Sequence, residues 1–333
     1  MNIEVRTRRR RWGFILSPFL LLFVALFGIS YGSVSISIKD ILEVFFSEAS
    51  QLDETIIYQL RLPRVLIGLF VGACLAVSGA LLQGVMKNSL ADPGIIGVTA
   101  GGGLTASITM ILFPQLSYLL PVSAFIGAFI AALVVYILAW DNGASPLKII
   151  LAGVAINALL GAVQNGLMVI YSDRVQAVLP WLAGGLNGRS WHHLSFMIPY
   201  AVVGLCLSFF AIRPANLLLL GDDSAKLLGQ KVELQRFFII LLAAFLAGTA
   251  VSVAGLIGFV GLVVPHVIRL IFGEDYRILL PLSAVGGALL VVFADTIARS
   301  LFDPIELPVG VLLACIGAPF FLLLLKKRRM IER

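Results

Sequence analysis

Long apolar runs follow one another along almost the whole chain, parted by short knots of Gly, Pro, Asp or Lys. A helix that crosses a bilayer needs about 20 predominantly apolar residues. By that measure the pattern predicts ten transmembrane helices, over 14–33, 64–86, 95–113, 117–139, 148–171, 194–212, 236–255, 257–272, 279–299 and 307–325. The eighth is short and broken by Pro265, whose missing N–H is tolerated in lipid only where a neighbouring helix or water serves the backbone instead. No soluble domain of useful size fits between the runs. The predicted fold class is therefore an all-α polytopic membrane protein, with a basic N-terminus (1–13), a membrane domain (14–325) and a basic C-terminus (326–333).

Three segments between the spans carry their own pattern. Residues 34–60 place Ile36, Ile38, Ile41, Leu42, Val44, Phe45 and Phe46 among Lys39, Asp40 and Glu43, which predicts a short amphipathic helix lying at the interface. Residues 172–193 mix Pro180, Gly184, Gly185 and Gly188 with Trp181 and Trp191, a turn-rich cap with aromatic anchors. Residues 213–235 form the longest loop on the side of the termini and hold Asp222, Asp223, Lys226, Lys231 and Glu233.

Composition agrees with the pattern. Of 333 residues 60% are hydrophobic and 13% charged, with mean hydropathy +1.03, against about 25% charged in soluble domains. An even number of spans puts both termini on one side. In this arrangement 18 of the 24 Lys and Arg lie on the side of the termini and 6 on the other, so the positive-inside rule makes both termini cytoplasmic. Arg6 and Arg8 to Arg11 before an apolar run resemble the start of a signal peptide, but the run continues to about Tyr31 without an A-x-A-like site, which predicts a retained first helix. The net charge of +6 sits in loops and tails, so no nucleic acid partner is expected. Cys74, Cys206 and Cys315 are far apart in apolar runs and read as packing residues, not as a disulfide framework or metal set.

The chain has no G-x-x-x-x-G-K-[ST] sequence, so it has no phosphate-binding loop of the usual kind, and any ATP hydrolysis must come from another chain. It is not expected to be an enzyme: it offers no nucleophile, metal cluster or acid pair, and no cofactor is expected. Small residues within or beside the spans (Gly72, Ala76, Gly79 and Ala80; Gly101 to Gly103; Gly153 and Gly161; Gly255, Gly258 and Gly261) predict close helix packing. Span centres are nearly free of ionisable groups, which weakens an ion-coupled secondary transporter as the alternative. Asp295 stands four residues before Arg299, the spacing of a helical ion pair. His192 and His193 read as interfacial, and His266 as a partner for the backbone near Pro265. Arg61, Arg64 and Arg299 fall at helix ends on the outer side, where arginines either snorkel to headgroups or stand exposed to receive carboxylates.

Seven stretches carry a resemblance: RLPR at 61–64, SGALLQGVMKNSLADPGIIG at 78–97, LAGVAIN at 151–157, GLIGFVGLVVPHVIRL at 255–270, LLPLSAVGGALL at 279–290, ADTIAR at 294–299 and ELPVGVLLACIGAPFF at 306–321. In these the chain resembles the permease subunits of type II ABC importers for iron-siderophore, haem or cobalamin, the FecCD/BtuC-like family, from about residue 55 to 325. The resemblance implies a dimer with a second copy or a paralogous permease, two ATP-binding cassette ATPase subunits, an extracytoplasmic solute-binding protein and an iron-siderophore substrate, all in a cell membrane among lipid. Cobalamin or haem is the alternative cargo. It implies docking of the binding protein at Arg61, Arg64 and Arg299. It also implies ATPase coupling through 217–234, at Leu220, Gly221, Asp222, Asp223, Ser224, Ala225, Lys226, Leu228 and Gly229, and an inner gate at Ser145, Pro146 and Leu147. The chain departs from the family at Pro146, where a small hydroxyl residue is usual, and at Ser89, where proline is usual.

Overall fold

The structure is a computed structural model that describes residues 3–32, 36–46, 50–141, 143–301 and 305–331. Among these no strand forms, and one β-bridge, Trp140 with Ala144, closes a turn. In chain order the α-helices are α1 (Ile3–Ser30), α2 (Ile38–Phe46), α3 (Gln51–Glu54), α4 (Leu62–Val85), α5 (Val98–Leu112), α6 (Leu120–Leu138), α7 (Pro146–Ile170), α8 (Val175–Leu182), α9 (Trp191–Leu218), α10 (Asp222–Leu227), α11 (Val232–Ala254), α12 (Val260–Phe272), α13 (Tyr276–Ser300) and α14 (Val309–Ile331). Seven helical stretches are long and apolar enough to cross a bilayer, and shorter apolar helices stand over three further predicted spans, at Val98–Leu112, Val260–Phe272 and Val309–Leu322. Arg333 and part of the amphipathic 34–60 segment lie outside the described residues.

The boundaries differ from the sequence reading where local chemistry favours helix. The arginine run is helical, because nothing in it breaks α1 before Pro18. The second span begins earlier than expected: α3 and α4 are joined without a break by a π-helical stretch, Thr55–Arg61. The interfacial segment yields α2, whose Ile41 is buried with Ile36, Ile57 and Val65 while Lys39 faces out.

The break expected at Pro265 lies elsewhere. Helix α12 runs through Pro265, and the chain is non-helical before it, with Gly255 at φ 70° and Phe259 at φ 66°. Proline removes the N–H that would serve the carbonyl four residues back, here Gly261. Gln83 of α4 donates to that carbonyl at 3.2 Å and to Leu262 at 3.1 Å, and its own oxygen accepts from Arg269 at 2.8 Å. A polar side chain in the next helix thus supplies what proline withholds.

Helices α4 and α11 form the centre, each with 78% of its most apolar stretch buried, whereas α1 has 17% and α7 has 11%. Glycine makes the central contacts possible. A Cβ on Gly72 would lie 2.1 Å from the carbonyl oxygen of Gly287, and one on Gly79 would lie 1.8 Å from that of Gly261. Gly161, read alike in the sequence, has open space around it. Gly79→Ala is therefore expected to cost roughly 3 kcal/mol or more, since backbones must part, and Gly161→Ala to gain about 1 kcal/mol of helix propensity. Thermal unfolding of the purified permease in detergent checks both. Cys74 is a buried packing residue as expected; Cys206 and Cys315 are exposed instead, because their helix faces have no neighbour in a single chain.

Candidate docking and coupling sites

The end bearing Arg61, Arg64 and Arg299 is termed outer, after the charge reading. Arg61 ends the π-helical stretch, Arg64 stands one turn later on α4, and Arg299 lies in the last turn of α13. The close α4–α13 contact brings all three to one cavity of about 430 Å³, shared with Arg189 and Glu306. They are not the exposed guanidiniums that the sequence suggested, since each is buried at 4–8% exposure. Arg64 forks onto Asp295, with Nε and Nη2 each donating at 2.9 Å, and Nη1 donates to Glu306 at 2.9 Å. Asp295 is thus held by Arg64 from another helix, not by Arg299, because the planar fork outcompetes the local spacing. Arg61 donates to the carbonyls of Ile29 at 2.6 Å and Ser30 at 3.0 Å, and Arg299 donates to that of Gly28. These are the last carbonyls of α1, where a helix gathers partial negative charge.

Arg189 was not singled out in the sequence. Burial lowers its tendency to hold a proton, and its Nε, like that of Arg299, has no acceptor among the described residues. Four arginines against the two carboxylates of Asp295 and Glu306 leave this cavity net positive. Beside it, His193 closes a capping box with Ser190 at the start of α9, which is a structural role, and Trp191 donates to the Tyr58 carbonyl at 2.8 Å. Among the described residues no group of His, Cys, Asp and Glu could hold a metal ion.

At the opposite end the 217–234 segment folds as expected into a short helix. Gly221 at φ 99° opens it, Asp222 and Asp223 begin α10, and Gly229 at φ 77° turns the chain towards α11. Ala225 is buried, whereas Asp223, Ser224, Lys226, Leu228 and Gly229 are exposed. Leu220, Leu227 and Leu228 project with 59%, 90% and 57% of their surface open, a concentration of apolar surface on a polar loop. Leu227, between the named Lys226 and Leu228, was not singled out in the sequence, although it is the most exposed of the three leucines. A groove of about 640 Å³, lined by Trp140, Lys226, Leu234 and Phe237, adjoins α10.

Ser145, Pro146 and Leu147 begin α7. Ser145 caps the helix by accepting from the Lys148 amide at 3.3 Å, and Leu147 is exposed. Pro146 occupies the first helical position, where its fixed φ suits the turn, so the departure from the family leaves the helix start intact.

A buried guanidinium joins these two elements. Arg236 of α11, 2% exposed, donates to Asp222 at 2.7 Å, to Glu233 at 3.1 Å and to the Ala144 carbonyl at 2.8 Å, and Glu233 accepts from the Ala144 amide at 3.0 Å. Lys87, at φ 49°, adds a 2.9 Å bond to Asp222 from the end of α4. Burial pushes the Asp222 carboxyl up, but hydrogen bonds from Arg236 and Lys87 outweigh it and hold it below the usual carboxylate range. The sequence hid Arg236 at the edge of a span, though a charge beginning an apolar run was the available signal. In the neighbouring turn, Asn88 accepts from the Leu90 amide and Asp92 from that of Gly94, so Ser89 needs no proline ring to hold its shape.

Comparison with known proteins gives this arrangement relatives. The sequence model of the FecCD transport family matches residues 20–327. The Fe(3+)-citrate import system permease protein YfmD of Bacillus subtilis is 39% identical over 98% of each chain. The cobalamin import system permease protein BtuC of Halobacterium salinarum is 41% identical over 91% of this chain and 81% of its own. A solved structure of a metal-chelate type ABC transporter, inward-facing, superposes with a TM-score of 0.86 at 32% identity over 95% of this chain and 99% of that one. The chain belongs to the FecCD transport family and is a multi-pass cell-membrane permease subunit.

Proposed function

We propose that this permease passes an iron(III) chelate of the siderophore class inward, with ATP hydrolysis on a separate ATPase seated against Leu220 to Gly229 and cargo delivered by a solute-binding protein at the outer cavity. One observation carries the reading: Arg236 bonds at once to the first residue of α10 and to the backbone just before α7. A partner that displaces α10 pulls on the start of α7, so closure of an ATPase dimer is converted into movement of the inner gate at Ser145 to Leu147. Leu227 of α10, with Leu220 before the helix and Leu228 after it, gives the ATPase an apolar foothold. Helix α7, the least buried of the long helices, suits either a second permease or the pathway itself. A pathway must not favour cargo strongly in either state, because a ligand bound equally to both shifts nothing.

The buried arginines change what docking means at the outer face. Arg61, Arg64 and Arg299 build the platform and hold it positive, which steers an acidic lobe and fixes its orientation more than it adds affinity. Arg61→Gln keeps a donor for the α1 carbonyls but removes the charge. It is expected to slow capture of the loaded binding protein by roughly threefold to tenfold with basal ATP turnover unchanged; surface plasmon resonance showing unchanged capture would count against docking here.

The cargo is tested with the permease, its ATPase and a binding protein in vesicles. Ferric citrate or a ferric hydroxamate on the binding protein should stimulate ATP hydrolysis and accumulate inside. The similarity to a cobalamin permease makes cobalamin the second reading, and stimulation by cobalamin alone selects it. Uptake by vesicles holding only this chain, without ATPase or ATP, would sink both.

A further inference from the structure

A groove of about 600 Å³ runs between α1, α12 and α13, away from both sites described above. Arg8, Arg9 and Trp12 stand at its mouth, all three exposed. Below them the walls are apolar, with Leu16, Leu20, Ile268 and Leu289 along its length. Gly13 closes the floor: a Cβ there would meet Phe272 at 2.8 Å. The one hydroxyl in the lining, Ser17, donates to the Gly13 carbonyl at 2.7 Å, so the lower part holds no side chain seeking water.

Two arginines at this end fix the neighbouring helix. Arg6 and Arg10 donate to the Phe272 carbonyl at 3.3 and 3.1 Å, closing the C-terminus of α12. Arg8 and Arg9 line the groove itself and bring two positive charges to its mouth. From Arg8 to Leu20 α1 rises about 18 Å, close to half of a bilayer core of about 30 Å. Positive charge at headgroup depth over an apolar slot one leaflet deep matches a phospholipid with an anionic headgroup.

We propose that this groove holds one anionic phospholipid, its phosphate on Arg8 and Arg9 and an acyl chain between α1 and α13. An arginine beside an anionic headgroup contributes about fivefold in affinity, so the pair contributes about thirtyfold. The lipid completes the surface of a helix that the rest of the chain barely covers, and it fastens α1 to α12 and α13 on the lipid side.

Native mass spectrometry of the full-length permease, stripped of lipid and titrated with phosphatidylglycerol or phosphatidylcholine of matched chains, tests this. The wild-type protein should retain one phosphatidylglycerol about thirtyfold more tightly than phosphatidylcholine. Arg8→Gln with Arg9→Gln should bring the two lipids level. Leu16→Trp, which fills the slot and keeps both charges, should abolish retention of the tight lipid. An equal affinity of the wild-type protein for both lipids overturns the proposal, as does a preference that survives the double glutamine variant or the tryptophan. A second permease copy seated on α1 would give such indifference.

Discussion

Replacing Arg236 with methionine is expected to leave ATP hydrolysis running while transport stops. Arg236 is buried, and its carboxylate partners Asp222 and Glu233 keep about a third of their side-chain surface. Breaking a buried charge pair costs about 3–5 kcal/mol, and solvent screening of the two acids places this case at the low end. That energy is released at one joint, where α10 loses its hold on the backbone before α7. In vesicles with the ATPase and loaded binding protein, cargo moved per ATP should fall about tenfold or more, with hydrolysis within about twofold of the starting protein. Proportional loss of both would mean that Arg236 only supports the fold. Arg236→Lys should restore part of the ratio, since one ammonium cannot serve three partners held by a fork. The pH dependence has a definite sign. Because Asp222 is held below the usual carboxylate range, the joint stays charged above that range and is lost only as pH falls through the lowered value. Coupling should be flat from about pH 5 to 8.

Arg64→Leu is expected to lower stability by about 3–5 kcal/mol, because Asp295 is left as a buried carboxylate without its fork. Replacing both residues by leucine should recover most of the loss, since the buried carboxylate is then gone and only the part-exposed Glu306 lacks its guanidinium. Thermal unfolding in detergent across the four-protein cycle measures the coupling directly. Asp295→Asn separates this structural role from ion coupling. Transport per folded copy should still require ATP; abolished transport with ATP irrelevant would revive an ion-driven carrier.

The spans were legible because a bilayer imposes one length on every crossing helix, and short helices such as α5 and α12 still showed as apolar runs. What remained hidden depends on register between helices. The spacing of Asp295 and Arg299 obeys a local rule, yet Asp295 takes Arg64, 231 residues away, and periodicity says nothing about which helix ends meet. Arg61, Arg64 and Arg299 were recognisable as a set at one end, but not as caps on α1. Gln83 is, with Ser78, a polar residue well inside the second span, and the carbonyls near Pro265 that Gln83 serves became visible only once α4 and α12 lay side by side. Arg236 was taken as the margin of a span, though its charge serves the elements on either side.

Helix α1 is held chiefly at its ends, by Arg6 and Arg10 on Phe272 and by Arg61 and Arg299 on its final carbonyls. During synthesis, which proceeds from the N-terminus, those clasps do not yet exist when α1 leaves the ribosome; the contact from Arg299 to Gly28 spans 271 residues. Helix α1 is therefore fastened in stages, at its far end first by Arg61, 32 residues on, and by Arg299 only when α13 arrives, so a newborn chain holds its early helix in the membrane half-clasped until most of the bundle is made.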